Sequence, residues 1–379
     1  MYIYNTNIND DLYISSLYSL YKEYKEEIYK GEKLFILQSI SKNILYSFTG
    51  RDYNNSIKLY KELNINEEVL RLLKYKNTRI ILFNSWEVIN LHNNNIDKNI
   101  SIFSKIYNIE KSKIYISISD INSIYSDSNK NNRLPYDWVY IRSIYNYKKT
   151  KRSKLNINKK KHLISLNRRN NEERFAFSVY LYNYFKDKIY LSYLDKNEKG
   201  TNEWLKYHVS FKDVSDIKLG LNINEYNIFN NNLPLVLDNT IRRVHWETYN
   251  TIDKYLDDSY IMLVFETNIM SITNKCIQIS EKTYKPILYG IPFIVWCNKP
   301  GILLYLKKMN FKTFAPYINE EYDNINYDYH TRIKLLKKEI TRILNMSIEN
   351  LREIYLKLIP IIKHNWKILE EGKIKNLMN

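Results

Sequence analysis

The sequence predicts an α/β protein with two sheet-containing domains. Compact apolar runs of strand length alternate with segments of helical period, and the alternation starts afresh after a basic block near residue 150. A chain of 379 residues also suits two domains of ordinary size.

Apolar positions recur at helical spacing from Asp11 to Lys30, and Lys33 to Gln38 reads as the first strand. A second helical stretch covers about Ile57 to Leu73. Thr78 to Phe83 (TRIILF) is the kind of run that fills a strand buried on both faces, and Lys113 to Ile118 repeats it. Helical segments between such strands indicate βαβ units and a parallel sheet. After the basic block, Lys161 to Leu166 (KHLISL) starts a second series, followed by a helix over Glu172 to Phe185. Its later strands are Tyr260 to Phe265 (YIMLVF) and Pro292 to Cys297 (PFIVWC), with a helix over Ser280 to Tyr289 that Gly290 is placed to end. Beyond Arg332 the pattern is helical, and Pro360 predicts a break or kink in it. The runs Asn93 to Asn95 and Asn230 to Asn232 read as loops, and no internal repeat is visible.

Hydrophobic residues make up 44% of the chain and aromatic ones 15%, enough for each domain to bury a core, which excludes global disorder. The 58 Lys and Arg against 41 Asp and Glu give +17, which favours phosphate-bearing ligands, nucleic acid or an anionic surface. The excess is concentrated in Lys148, Lys149, Lys151, Arg152 and Lys154, with Lys159 to Lys161 just after. Such a block is either a solvated linker or a nucleic-acid contact. Cys276 and Cys297 have neither metal-ligand nor redox spacing, so a reducing compartment is expected. The segment Met1 to Asp11 holds no apolar leader-like run, and no stretch approaches the ~18 apolar residues of a membrane span. These features predict a soluble, cytoplasmic protein.

Three constellations could carry chemistry. The segment Ser280-Glu281-Lys282-Thr283-Tyr284-Lys285 lies between two expected strands, where Ser280 can cap a helix whose N-terminal amides attract an anion. Lys282 and Lys285 share a helix face and could add two cationic donors for a diphosphate, while Glu281 can orient Lys285 or accept a ribose hydroxyl. The alternative is an ordinary surface pair of Glu and Lys. Asn167, Arg168, Arg169 and Arg174 follow the strand that ends at Leu166, at the edge where open α/β sheets bind ligands. Guanidinium forks suit phosphate oxygens there; a basic loop facing water is the other reading. Glu266 and Thr267 end the next strand, a position from which a carboxylate can meet a sugar or ribose hydroxyl. The six histidines show no paired metal spacing, and no Gly-x-x-x-x-Gly-Lys loop occurs, so neither a metal site nor a phosphoryl-transfer ATPase is expected.

The spaced set SLNRRNNEER, LVFET, SEKTYKPILYGIPFIV, Pro300-Gly301, FKTFAPYINEEYD and Arg332 resembles a group of viral and phage glycosyltransferases. Those proteins are similar in turn to the α1,3-fucosyltransferase family, whose donor site carries a Glu-Lys pair in a Thr/Ser-Glu-Lys segment and an upstream Arg. Glu281 and Lys282 match the pair, and Arg168 or Arg169 the arginine, so the resemblance implies that they bind the nucleotide diphosphate of a sugar donor. It also implies the GT-B fold, two Rossmann-like domains facing across a cleft. The Lys-Pro-Ile continuation at Lys285 to Ile287 departs from the fucosyltransferase pattern, so the sugar does not carry over, and the N-terminal half has no comparable match. No Asp-x-Asp occurs, the metal signature of the other major glycosyltransferase fold, which implies metal-independent departure of the leaving group.

An inverting transfer needs a carboxylate to take the acceptor proton. Glu87, after the strand Arg79 to Phe83, is the candidate base, with Trp86 placed to stack on a sugar ring; a solvated loop carboxylate beside a buried Trp is its other reading. The expected protein is a glycosyltransferase with an acceptor-side domain over 1–155, a nucleotide-sugar donor domain over 156–330, and C-terminal helices over 331–379 packing across the domains. Its donor is a nucleotide-diphosphate-sugar with no separate cofactor, its acceptor a glycan, a protein or modified DNA, and its setting the cytoplasm, that of a virus-infected host included. The alternatives are a basic nucleic-acid-binding protein whose tyrosines stack on bases and a degenerate transferase that binds donor without turnover.

Overall fold

The computed structural model describes residues 155–167, 171–193, 209–237, 252–266 and 279–371, and of the earlier chain 3–4, 34–39, 60–61, 63, 65, 67–74, 78–83, 96–118 and 133–135. The chain divides into two compact units: residues 1–145, 269–278 and 373–379 form one, and residues 146–268 and 279–372 the other.

Among its described residues the first unit holds a parallel sheet of β1 (Ile3–Tyr4), β2 (Leu34–Ser39), β3 (Thr78–Phe83), β4 (Ile114–Ile118) and β5 (Arg133–Pro135), in that spatial order. β2 and β3 pair along their full length, from Leu34 opposite Thr78 to Ser39 opposite Phe83. Side chains two apart on a strand share a face, so Ile80 and Leu82 enter one buried cluster together. Ile114 joins them, as do Ile100 and Phe103 from a helix, α2 (Ile96–Tyr107), which follows the short α1 (Glu67–Leu72). The Tyr107 hydroxyl donates to the carbonyls of Tyr60 and Leu63, and burial pushes its pKa up to about 12. The helix expected over Asp11 to Lys30 lies outside the described residues.

The second unit is built on a parallel sheet of β6 (Lys161–Asn167), β7 (Ile189–Tyr193), β8 (Ser259–Phe265) and β9 (Phe293–Trp296), in the order β7-β6-β8-β9. β8 is buried along its whole length, as a strand covered on both faces must be. Helix α3 (Glu172–Phe185) is buried from Glu173 through Leu181 with no exposed face over that stretch. Such a helix must be packed on several sides. Phe177 meets Phe265 of the sheet, and Phe175 meets Phe229 of α5 (Ile223–Asn231), which comes after the short α4 (Phe211–Asp216). The parallel sheet with its helices is an α/β arrangement compatible with a Rossmann-like fold.

The later helices belong to the same unit. α6 (Asp253–Asp257) leads into β8, α7 (Glu281–Tyr289) precedes β9, and α8 (Ile302–Lys308), α9 (Tyr329–Leu344) and α10 (Ile348–Glu371) follow it. α7 ends at Gly290, whose φ of 65° is left-handed. A Cβ there would lie 2.6 Å from Trp366 and 2.7 Å from Leu155, so glycine is required twice over. The last carbonyls of a helix lack intrahelical donors. Here Trp366 Nε1 donates to Ile287 at 2.8 Å and the Tyr355 hydroxyl to Gly290 at 3.0 Å, so α10 closes the end of α7.

Two expectations are corrected. Of the break or kink expected at Pro360, the break does not occur: α10 runs through it to Glu371. Both Pro360 and Leu356, whose carbonyl loses its usual donor, are exposed, so water can replace the missing bond. The run Asn230 to Asn232 is not wholly a loop, since Asn230 and Asn231 complete α5 and Asn232 caps it.

Candidate functional site

The chain steps from β6 to β7 on one side of β6, then returns to lay β8 on the other. In open parallel sheets ligands bind at such a reversal, outside the carboxyl ends of the strands. The strand ends flanking it carry Asn167 and Glu266.

Asn167 is turned inward. Its amide donates to Ser165 Oγ at 3.0 Å and to Ser178 Oγ of α3 at 3.4 Å. Asn171 then caps α3 by accepting from the Arg174 amide at 3.1 Å. The buried Arg174 guanidinium does not project as a loop cation would. Its Nη2 donates to the carbonyls of Phe265 and Glu266 at 2.9 and 2.8 Å, fixing the start of α3 to the end of β8.

Glu266 is 1% exposed, and a carboxylate so buried must find donors. It finds them at the start of α7. The Ser280 amide donates to Oε1 at 3.0 Å, the Ser280 hydroxyl to Oε2 at 2.5 Å, and the Thr283 hydroxyl to Oε1 at 2.5 Å. Glu266, expected to meet a sugar or ribose hydroxyl, thus accepts three hydrogen bonds from the start of α7. Ser280 Oγ also accepts from the amide and the Nζ of Lys282, both at 3.3 Å, and so caps the helix as its sequence position predicted.

Lys282 Nζ lies 3.0 Å from Glu281 Oε1, and both side chains are about one third exposed, at 30% and 32%. Burial pushes the Glu281 carboxyl up, yet the charge and hydrogen bond of Lys282, helped by Lys285, bring it below its ordinary value. Glu281 thus pairs with Lys282 and feels Lys285 at longer range. Burial pulls the Lys285 ammonium down to about 8, against the opposing charges of Glu281 and Asp253. Six of the expected residues are accordingly joined at one edge: Arg174 bonds to the Glu266 carbonyl, Glu266 to Ser280, Ser280 to Lys282 and Lys282 to Glu281, with Lys285 on the same helix. Arg168, Arg169, Thr267 and Glu87 lie outside the described residues.

A neighbouring group at the end of β9 gathers residues from several of the segments that carry the resemblance, Arg332 among them. That guanidinium, 1% exposed, donates to the carbonyls of Tyr322, Asn298 and Cys297 at 2.8, 2.6 and 2.7 Å. Asp323 accepts from the amides of Gly301 and Leu303 at 3.0 and 2.8 Å, serving as a remote cap for α8, and burial pushes its pKa up to about 6. The Tyr329 hydroxyl donates to buried Glu173 at 3.0 Å, and burial raises that carboxyl. Asp323 and Glu173 lie in the quoted segments FKTFAPYINEEYD and SLNRRNNEER, but their contacts are not readable there because their partners sit on other elements.

The arrangement offers a partly exposed ammonium beside a carboxylate, bonded through Ser280 and Glu266 to the strand end beside the reversal point of a parallel sheet. Such a pair can meet a phosphate oxygen with Lys282 and a sugar hydroxyl with Glu281. Among the described residues no group of three or more His, Cys, Asp or Glu is placed to hold a metal ion, and no helix is long and apolar enough to cross a membrane. No protein-family model matches the chain, and a search of curated proteins finds no match.

Proposed function

We propose that the chain is a GT-B glycosyltransferase that moves a sugar from a nucleotide-diphosphate-sugar to an acceptor hydroxyl, with inversion and without a metal. The observation that carries this reading is the bonded set Glu266, Ser280, Lys282 and Glu281 beside the strand reversal at β6. It joins a ligand-binding position of open α/β sheets to the Glu-Lys pair on which the resemblance rests. In this reading Lys282 neutralises the diphosphate while Glu281 holds a ribose or sugar hydroxyl. The acceptor oxygen attacks the anomeric carbon, the bond from that carbon to the phosphate oxygen breaks, and the nucleoside diphosphate leaves. The acceptor proton passes to a carboxylate, for which Glu87 is the candidate offered by the sequence.

Thermal unfolding with guanosine and uridine diphosphates tests the reading. A ligand at a hundred times its Kd stabilises by about 2.7 kcal/mol, so a clear rise in Tm is expected with one of them and is lost in Lys282→Ala. Stabilisation by no nucleoside diphosphate would overturn it.

A further inference from the structure

We infer that Glu266 is a positioning residue for Lys282 and acts through Ser280. The inference deepens the glycosyltransferase reading and rests on it. The Ser280 hydroxyl has a single proton, and it is given to Glu266 Oε2. Its lone pairs are thereby directed at the two nitrogens of Lys282, the amide and Nζ, both 3.3 Å away. The second hold on Lys282 is Glu281 Oε1 at 3.0 Å. A side chain as long as lysine loses much rotamer freedom when two acceptors fix its end. With the Glu266 carboxylate removed, the Ser280 hydroxyl can rotate and donate elsewhere, and one of the two acceptors no longer faces Nζ. Thr283 separates this role from simple anchoring of α7. Its hydroxyl also donates to Glu266, at Oε1, but it is not on the path to Lys282.

A test without ligand is the rate of Lys282 acetylation by limiting acetic anhydride, read by mass spectrometry against exposed Lys334 as internal standard. Glu266→Gln and Ser280→Ala are expected to raise the relative rate roughly threefold, the factor for one weak hydrogen bond, with Ser280→Thr restoring it and Thr283→Val leaving it unchanged. An unchanged rate in Ser280→Ala, or an equal rise in Thr283→Val, overturns the inference. Ser280→Ala also decides the matter if Glu266→Gln does not fold. Calorimetric titration with guanosine and uridine diphosphates supplies the second measurement. Glu266→Gln is expected to weaken binding roughly tenfold, and to weaken it no further in the Lys282→Ala background, because the two residues share one path. Losses that simply add overturn the inference. If the wild-type protein binds neither nucleotide, the glycosyltransferase reading fails, and the acetylation rates still decide whether Glu266 positions Lys282.

Discussion

The guanidinium of Arg332 lies over the indole of Trp296, 4.4 Å from the ring centroid, and from there reaches three backbone carbonyls past the end of β9. Arg174 bonds the carbonyls at the end of β8, so neighbouring strand ends each meet a buried arginine, from α9 at β9 and from α3 at β8. Replacing Arg332 strands buried carbonyls. Arg332→Met is expected to destabilise the fold by about 3 to 5 kcal/mol in urea unfolding. Arg332→Lys should recover little of this, since a compact ammonium cannot reproduce a planar fork on an indole face.

Gly290→Ala combines two penalties. A left-handed φ costs a residue with a Cβ about 1 to 2 kcal/mol, and overpacking against Trp366 and Leu155 adds about 1 to 3 kcal/mol. The expected loss, about 2 to 5 kcal/mol, is measurable as a lowered urea midpoint with an unchanged m-value.

Acid and base should move stability through two groups of opposite sign. Asp323 has its pKa raised by burial from 3.8 to about 6, so the folded state holds the extra proton in that window and stability falls as the pH rises through it. His162 is the reverse case. Burial lowers its pKa below 6.5, with Lys188 and Lys161 adding to the effect against a hydrogen bond to Met346, so its contribution is full above 6.5 and is lost as the pH falls. Unfolding free energy followed from pH 4 to 7 should gain slope in Asp323→Asn and lose it in His162→Gln.

Lys285 predicts an alkaline effect. Burial brings its pKa down from 10.5 to about 8, so between those values the unfolded chain binds the proton more readily and stability rises with pH. Lys285→Met should abolish that rise and leave the protein more stable at neutral pH in the same unfolding measurement. A flat profile in the wild-type protein would refute the assignment.

Much of the second unit was legible because its elements are signalled locally. The helix Glu172–Phe185 and the strand Thr78–Phe83 of the first unit have the bounds expected from the sequence. β7 was missed because IYLSY alternates buried and half-buried residues and starts directly after a short 3-10 turn, so no loop signal separates it from α3. α5 was hidden by its asparagines, although Asn222 and Glu225 form a capping box that the sequence does display. At the site, Ser280 as a cap and Lys282 beside Glu281 were readable from adjacency. The inward engagement of Glu266 was not, because its partners lie 14 and 17 residues away and meet it only once β8 and α7 are packed.

The bonds from Trp366 and Tyr355 to the end of α7 also bear on the order in which the protein can mature. Trp366 is added to the growing polypeptide 79 residues after Ile287, and Tyr355 65 residues after Gly290. The segment bearing Lys282 therefore leaves the ribosome well before these supports exist, and the end of α7 is completed late in translation. A nonsense mutation between Tyr355 and Trp366 would remove the bond from Trp366 while sparing every residue of the edge that joins Arg174, Glu266, Ser280, Glu281 and Lys282.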